Sequence, residues 1–145
     1  MAEFIANDVQ LVQPNTAVPL NLSIGCTRRN VYHRAGSGIV TLRGNTQNCF
    51  ARYQVTFNGN IAVPEGGTVQ AIALAITISG ESIPTSRAIV TPAAVEEYFN
   101  VTSTAIIDVP AGCCYNISVD NVAAGDDPAI PINVQNSNLV ISRIA

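Results

Sequence analysis

Between residues 68 and 80 the chain reads TVQAIALAITISG, a run in which every second residue from Ile72 to Ile78 is large and branched. A period of two is the signature of a strand, whose side chains point alternately to opposite faces. Ile72, Leu74, Ile76 and Ile78 then form a core face, and Gly80 ends the element. The alternate positions, Ala71, Ala73, Ala75 and Thr77, are small and mostly apolar instead of polar. Such a face is expected to lie either under a loop of its own chain or against a second chain.

Similar runs recur along the chain with turn signals between them. The β-rich segments are 8–13, 17–23, 38–43, 51–63, 68–79, 87–90, 100–109, 115–122 and 130–144. The punctuation includes Pro14-Asn15, Gly36-Ser37-Gly38, Gly44-Asn45, Pro64-Glu65-Gly66-Gly67, Gly80-Glu81, Pro110-Ala111-Gly112 and Gly125-Asp126-Asp127-Pro128. Many short strands at fairly even spacing predict an all-β sandwich or barrel of the Greek-key or jelly-roll kind. Asn58-Gly59 marks either a hairpin or a bulge within one long strand. Only 91–99, TPAAVEEYF, reads as helical, with Thr91 as N-cap and Pro92 in the first turn. The closing run, INVQNSNLVISRIA, becomes apolar on both faces near Leu139, Val140, Ile141 and Ile144, so both of its faces should be covered.

At 145 residues the chain fits one domain, 1–145, with residues 1–7 expected as an N-terminal arm. Hydrophobic residues make up 48% and charged residues only 12%, about half the usual share, and all seven basic residues are arginine. So few charges would leave an isolated monomer poorly dispersed, which predicts a surface covered in part by copies of the chain or by a larger assembly. A net charge of −3 argues against nucleic-acid binding. No run is long and apolar enough to span a membrane as a helix. The N-terminus lacks the basic and apolar regions of a secretory signal, so synthesis in a cytosol is expected.

Candidate chemistry is sparse. Cys26, Cys49, Cys113 and Cys114 allow three disulfide pairings. Cys113 and Cys114, being neighbours, would seek different partners, and Cys26 fits Cys49 or either of the pair. The four lack the paired C-x-x-C knuckles of a zinc site, and buried reduced thiols are expected in a reducing cytosol. His33 is the lone histidine, set among Arg28, Arg29 and Arg34, without a nucleophile elbow or a papain-like cysteine context. It reads as a surface or interface residue, and its arginines as solvated or facing Glu96, Glu97 or Asp126 of a neighbour. Asp120, Asp126 and Asp127 do not follow an EF-hand spacing and read as a polar turn. Glu96-Glu97 lack a partner acid for glycoside hydrolysis. Asn21, Asn100 and Asn116 begin Asn-x-Ser/Thr sequons, which matter only in a eukaryotic secretory route. No catalytic residue, metal site or cofactor is expected.

The order GSGIVTLRG, ARYQVTFNGNIAV, TVQAIALAITISGESIP, NVTSTAIIDVPAGCCYNISVDN and INVQNSNLVISRIA resembles the jelly-roll superfamily of tumour necrosis factor and the complement globular heads. It is most similar to the bacterial branch, which includes the C-terminal domain of spore-surface collagen-like glycoproteins and phage or prophage structural proteins. The resemblance covers residues 8 to 145. It implies an all-β, TNF-like jelly roll of about ten strands, assembled as a homotrimer about a three-fold axis. An inner sheet would line the axis, holding the C-terminal strand and those at 53–57 and 101–107, with the alanine-rich strand in the outer sheet. This chain departs from the spore-surface relatives in lacking a Gly-X-Y stalk.

The oligomer interface expected on this reading comprises Tyr53, Val55, Phe57, Leu139 and Ile141, with Ala71, Ala73 and Ala75 facing other parts of an assembly. The expected function is non-enzymatic: a phage virion decoration protein, head fibre or fibre knob, made in the host cytoplasm. The alternatives are a bacterial surface or spore-coat protein, filament-forming or not, and a head that binds a receptor or cell-surface glycan. Partners are then the chain itself and other virion or surface-assembly proteins, with no nucleic acid or membrane.

Overall fold

The computed structural model describes residues 2–24 and 29–145, so Cys26 and Arg28 lie outside the described residues. In chain order the strands are β1 (Ala2–Ala6), β2 (Gln10–Val12), β3 (Leu22–Ile24), β4 (Val31–His33), β5 (Val40–Arg43), β6 (Phe50–Ala62), β7 (Ile72–Ile78), β8 (Glu81–Ser82), β9 (Ala88–Val90), β10 (Phe99–Pro110), β11 (Cys114–Val122) and β12 (Ile132–Arg143). Two antiparallel six-stranded sheets result. The first runs β10-β6-β12-β1-β3, with β2 also paired to β12. The second runs β4-β5-β11-β7-β8, with β9 also on β7. The jelly-roll sandwich expected from the sequence is present, and 53–57, 101–107 and the C-terminal strand share one sheet while the alanine-rich strand lies in the other.

The core is the single layer between the sheets. From the first sheet come Phe4, Tyr53, Val55, Phe57, Ile107, Leu139 and Ile141; from the second come Leu42, Leu74, Ile76, Ile117 and Val119. Register explains the alternation: Phe57 sits between Ser103 and Leu139, and Val55 between Ala105 and Ile141, all on the inward face. Burying each large side chain contributes about 1.5–3 kcal/mol.

Two latches close the open sides of the sandwich. On the β10 side a 3-10 turn (Pro84–Ser86) tucks in beside β7. There the buried Ser86 hydroxyl accepts from the Ile76 amide at 2.9 Å and donates to the Ile83 carbonyl at 2.7 Å. The Ser86 carbonyl in turn accepts from the Ser103 hydroxyl on β10, in the other sheet. On the β3 side His33 of the second sheet meets Ser23 of the first, with 3.0 Å between Ser23 Oγ and Nδ1, and its ring packs on Phe4 at 4.6 Å.

Several elements differ from expectation. Residues 2–6 are not an arm but a strand paired with both β12 and β3. The alternation of AEFIA is hard to see because two of its three inward residues are alanine. Residues 91–98 form no helix. Glu96 adopts a left-handed φ of 56° and donates its amide to the Val63 carbonyl at 2.7 Å. Two turns are too short for helix nucleation to beat such tertiary bonds. Asn58-Gly59 lies inside β6, opposite a bulge between Gln135 and Asn138 of β12. A Cβ at Gly59 would stand 3.1 Å from the Phe57 ring and 3.3 Å from Ser137 Cβ, so any side chain here would press these neighbours apart by a few tenths of an ångström.

Replacing Ser86 by alanine orphans the buried Ile76 amide, and the expected loss is about 1–3 kcal/mol in urea unfolding, against almost none for the exposed Thr85→Ala. Deleting residues 1–6 strips a paired strand and the buried Phe4 from the first sheet, and should abolish the cooperative unfolding transition followed by circular dichroism.

Candidate interaction surfaces

Tyr53, Val55, Phe57, Leu139 and Ile141 are turned away from any second chain. All five lie between the sheets with at most 1% of their surface exposed. Ala73 and Ala75 are also closed, at 0%. In register Ala73 sits between Ile89 and Val122, and Ala75 beside Asp120, so longer neighbours flank the first methyl and adjoin the second. Of the expected interface residues only Ala71 retains part of its surface. An apolar alternation marks the inward face of a strand, and an interface on the same strand must use the residues between.

Those intervening residues build the outer face of the first sheet. One row across it reads Thr104, Thr56, Val140, Glu3, Ile24; the next reads Thr102, Asn58, Asn138, Ile5, Leu22. Side chains are tied across the strands: Thr56 Oγ1 to Thr104 Oγ1 at 3.2 Å, Thr102 to Asn58 at 3.0 Å, Asn100 to Asn60 at 3.1 Å. The charges at the outward positions of this sheet's described strands are Glu3, held by Asn138, and the Arg52–Asp108 pair. Arg52 grips both oxygens of Asp108, at 2.7 and 3.0 Å, and that hydrogen bond holds the Asp108 carboxyl below its ordinary range. Exposed apolar groups stand at opposite margins, Leu22 and Ile24 on β3 and Ile106 on β10. The signal in the sequence was the run of Thr, Asn and Gln between the core residues.

The outer face of the second sheet carries a recess of about 470 Å³, where Ala17, Ile39, Asn116, Ser118 and Asp120 meet the Ser79-Gly80 turn. It forms because β5 pairs with β11 only as far as Ile117, after which residues 15–18 take its place. Asn15 and Val18 donate amides to Asn121 and Val119 at 2.8 Å each. Gly38 permits this crossover: a Cβ there would lie 2.6 Å from that of Ala17. Burial raises the Asp120 carboxyl above its ordinary range, offset in part by the hydrogen bond from Ser118. A second recess, about 430 Å³ and largely apolar, lies near Leu11, Pro64 and Ile130.

Cys49, Cys113 and Cys114 are free and exposed, contrary to the expectation of buried thiols; Cys26, the fourth candidate for a disulfide, lies outside the described residues. They sit at strand ends, where the Cys49 carbonyl accepts from Ala111 and that of Cys113 from Gly44. Among the described residues no cluster of His, Cys, Asp or Glu is placed to hold a metal ion, and Asp126 and Asp127 are exposed, apart from Asp120. His33 bonds at both ring nitrogens, Nε2 donating to the Ser37 carbonyl at 2.7 Å and Nδ1 meeting Ser23 Oγ. A serine–histidine pair is also what nucleophilic catalysis uses. Here the ring is packed on Phe4 as a latch, and neither recess adjoins it.

No protein-family model matches the sequence, and no curated protein does. Solved structures do share its fold. The globular domain of a zebrafish complement 1qA protein overlaps 96% of this chain and 94% of its own, with 13% identity and a TM-score of 0.61. The Eiger TNF of S. frugiperda overlaps all of this chain and 92% of its own, with 9% identity and a TM-score of 0.69. At these identities the likeness concerns the fold: the chain is an all-β jelly roll of the C1q/TNF kind.

Proposed function

We propose that this chain is a non-enzymatic structural protein that closes on itself as a homotrimer and stands on the surface of a phage particle, as a decoration protein or the knob of a head or tail fibre. The observation that carries the self-association is the outer face of the first sheet. It is broad and hydrogen-bonded within itself, and its charges are few or mutually neutralised. Interface cores are depleted in charge because burying an unpaired ion is costly, whereas Thr and Asn already bonded to one another lose less on leaving water. The two apolar margins are not equivalent. Leu22 and Ile24 lie four strands away from Ile106, a span of roughly 19 Å at sheet spacing. A head-to-tail contact sets one margin of each copy against the other margin of the next, and such contacts close into a ring when the rotation from copy to copy divides a full turn. A closed ring also removes much of the surface that a chain with 12% charged residues would otherwise have to keep dispersed.

Light scattering on the pure protein should give the mass of three chains; a monodisperse monomer would end the trimer reading. Ile106→Asp places a charge on the face without touching the core, and should yield a monomer with an unchanged circular dichroism spectrum. For the virion role, peptides of this chain should appear in particles purified by density gradient from a lysate of the host carrying the gene. Their confinement to the soluble fraction would refute it.

A further inference from the structure

We propose that the recess on the outer face of the second sheet binds a neutral oligosaccharide, with about two sugar rings laid along β11 from Asn116 to Asp120. Asn116, Ser118 and Asp120 alternate on that strand and so point the same way, spanning roughly 13 Å. The hydrogen bonds already made fix what each has left to offer. Asn116 Oδ1 accepts from Thr41 at 2.9 Å, which leaves its amide nitrogen as a donor. Ser118 donates to Asp120 Oδ1 at 2.7 Å, so the 2.6 Å contact with Thr77 is a donation from Thr77 to Ser118. The chain of protons therefore runs Thr77 to Ser118 to Asp120 and ends on a half-buried carboxyl whose other oxygen, Oδ2, is left as an acceptor. A donor at one end and an acceptor at the other suit hydroxyl groups, which supply both. An anion would meet Asp120, and a simple cation would find no use for Asn116.

The walls agree with this ligand class. Ile39, half-exposed at 52%, and Ala17 give apolar edges of the kind a sugar ring's C–H face covers. Ser79 and Gly80, both at left-handed φ (51° and 89°), make the tight turn that rims the recess without bulk. The volume of about 470 Å³ falls within the usual range for small-ligand sites. The surface belongs to the second sheet, away from the face proposed for self-association, so the inference does not depend on the trimer.

The test is a titration of the ¹⁵N-labelled full chain with lactose, maltose, cellobiose and N,N′-diacetylchitobiose, each to about 50 mM, a range that detects millimolar binding. Methylammonium chloride serves as the cationic control. At least one disaccharide should shift the amides of Ser79, Gly80, Ser118 and Asp120 together. Asp120→Asn and Asn116→Asp, which keep shape and exchange donor for acceptor, should each weaken that binding about tenfold or more while leaving other resonances in place. Absence of any disaccharide response at these amides would overturn the proposal. So would a response to methylammonium alone, or unaltered affinity in both variants.

Discussion

Everything in this molecule depends on a single layer of side chains between two sheets. Each strand has two faces, and the inward layer uses one. Tyr53, Val55 and Phe57 on β6 interlock there with Leu139 and Ile141 beside them and with Leu74 and Ile76 opposite. Every other property of the surface follows from what the chain does with the faces left over. On the first sheet it covers them with threonine and asparagine bonded in pairs; on the second it closes small residues between longer neighbours and opens a recess where β5 gives way to residues 15–18.

The sides of the sandwich need a separate solution, because an antiparallel sheet ends in unpaired backbone groups. The Ser86 hydroxyl satisfies one such group on β7 while its carbonyl takes a bond from β10, so one residue serves both sheets. His33 spans the other side with a ring that is both a packing surface for Phe4 and a hydrogen-bonding group at each nitrogen. Local polar bonds at the margins thus fix the relation between two layers that the hydrophobic contact alone would leave free to slide.

The strand pattern was legible wherever large branched residues alternate, as in residues 51–63, 72–78 and 130–144, since burial of one face is written directly into that period. It was illegible in Ala2–Ala6, where alanines take inward positions, and in Val31–His33, a strand of three residues set beside arginines. The segment 91–99 carried helix signals that lost to the bond between Glu96 and Val63. The surfaces were harder still. The resemblance implies an interface at Tyr53, Val55 and Phe57, yet strand parity sends Tyr53 and Val55 inward and Gln54 and Thr56 outward. The recess could not be read at all: it depends on Ala17 lying beside Asp120, more than one hundred residues away in sequence.

The exposed thiols have a practical consequence. Cys49, Cys113 and Cys114 gather where Gly44 and Ala111 bond across neighbouring turns, and the chain contains no lysine. Maleimide coupling or adsorption on gold would therefore grip the described part of the molecule by one pole, with no lysine amine to compete. Molecules held through these three thiols would share one orientation, their far end, around Pro64 and Ile130, presented outward like the bristles of a brush.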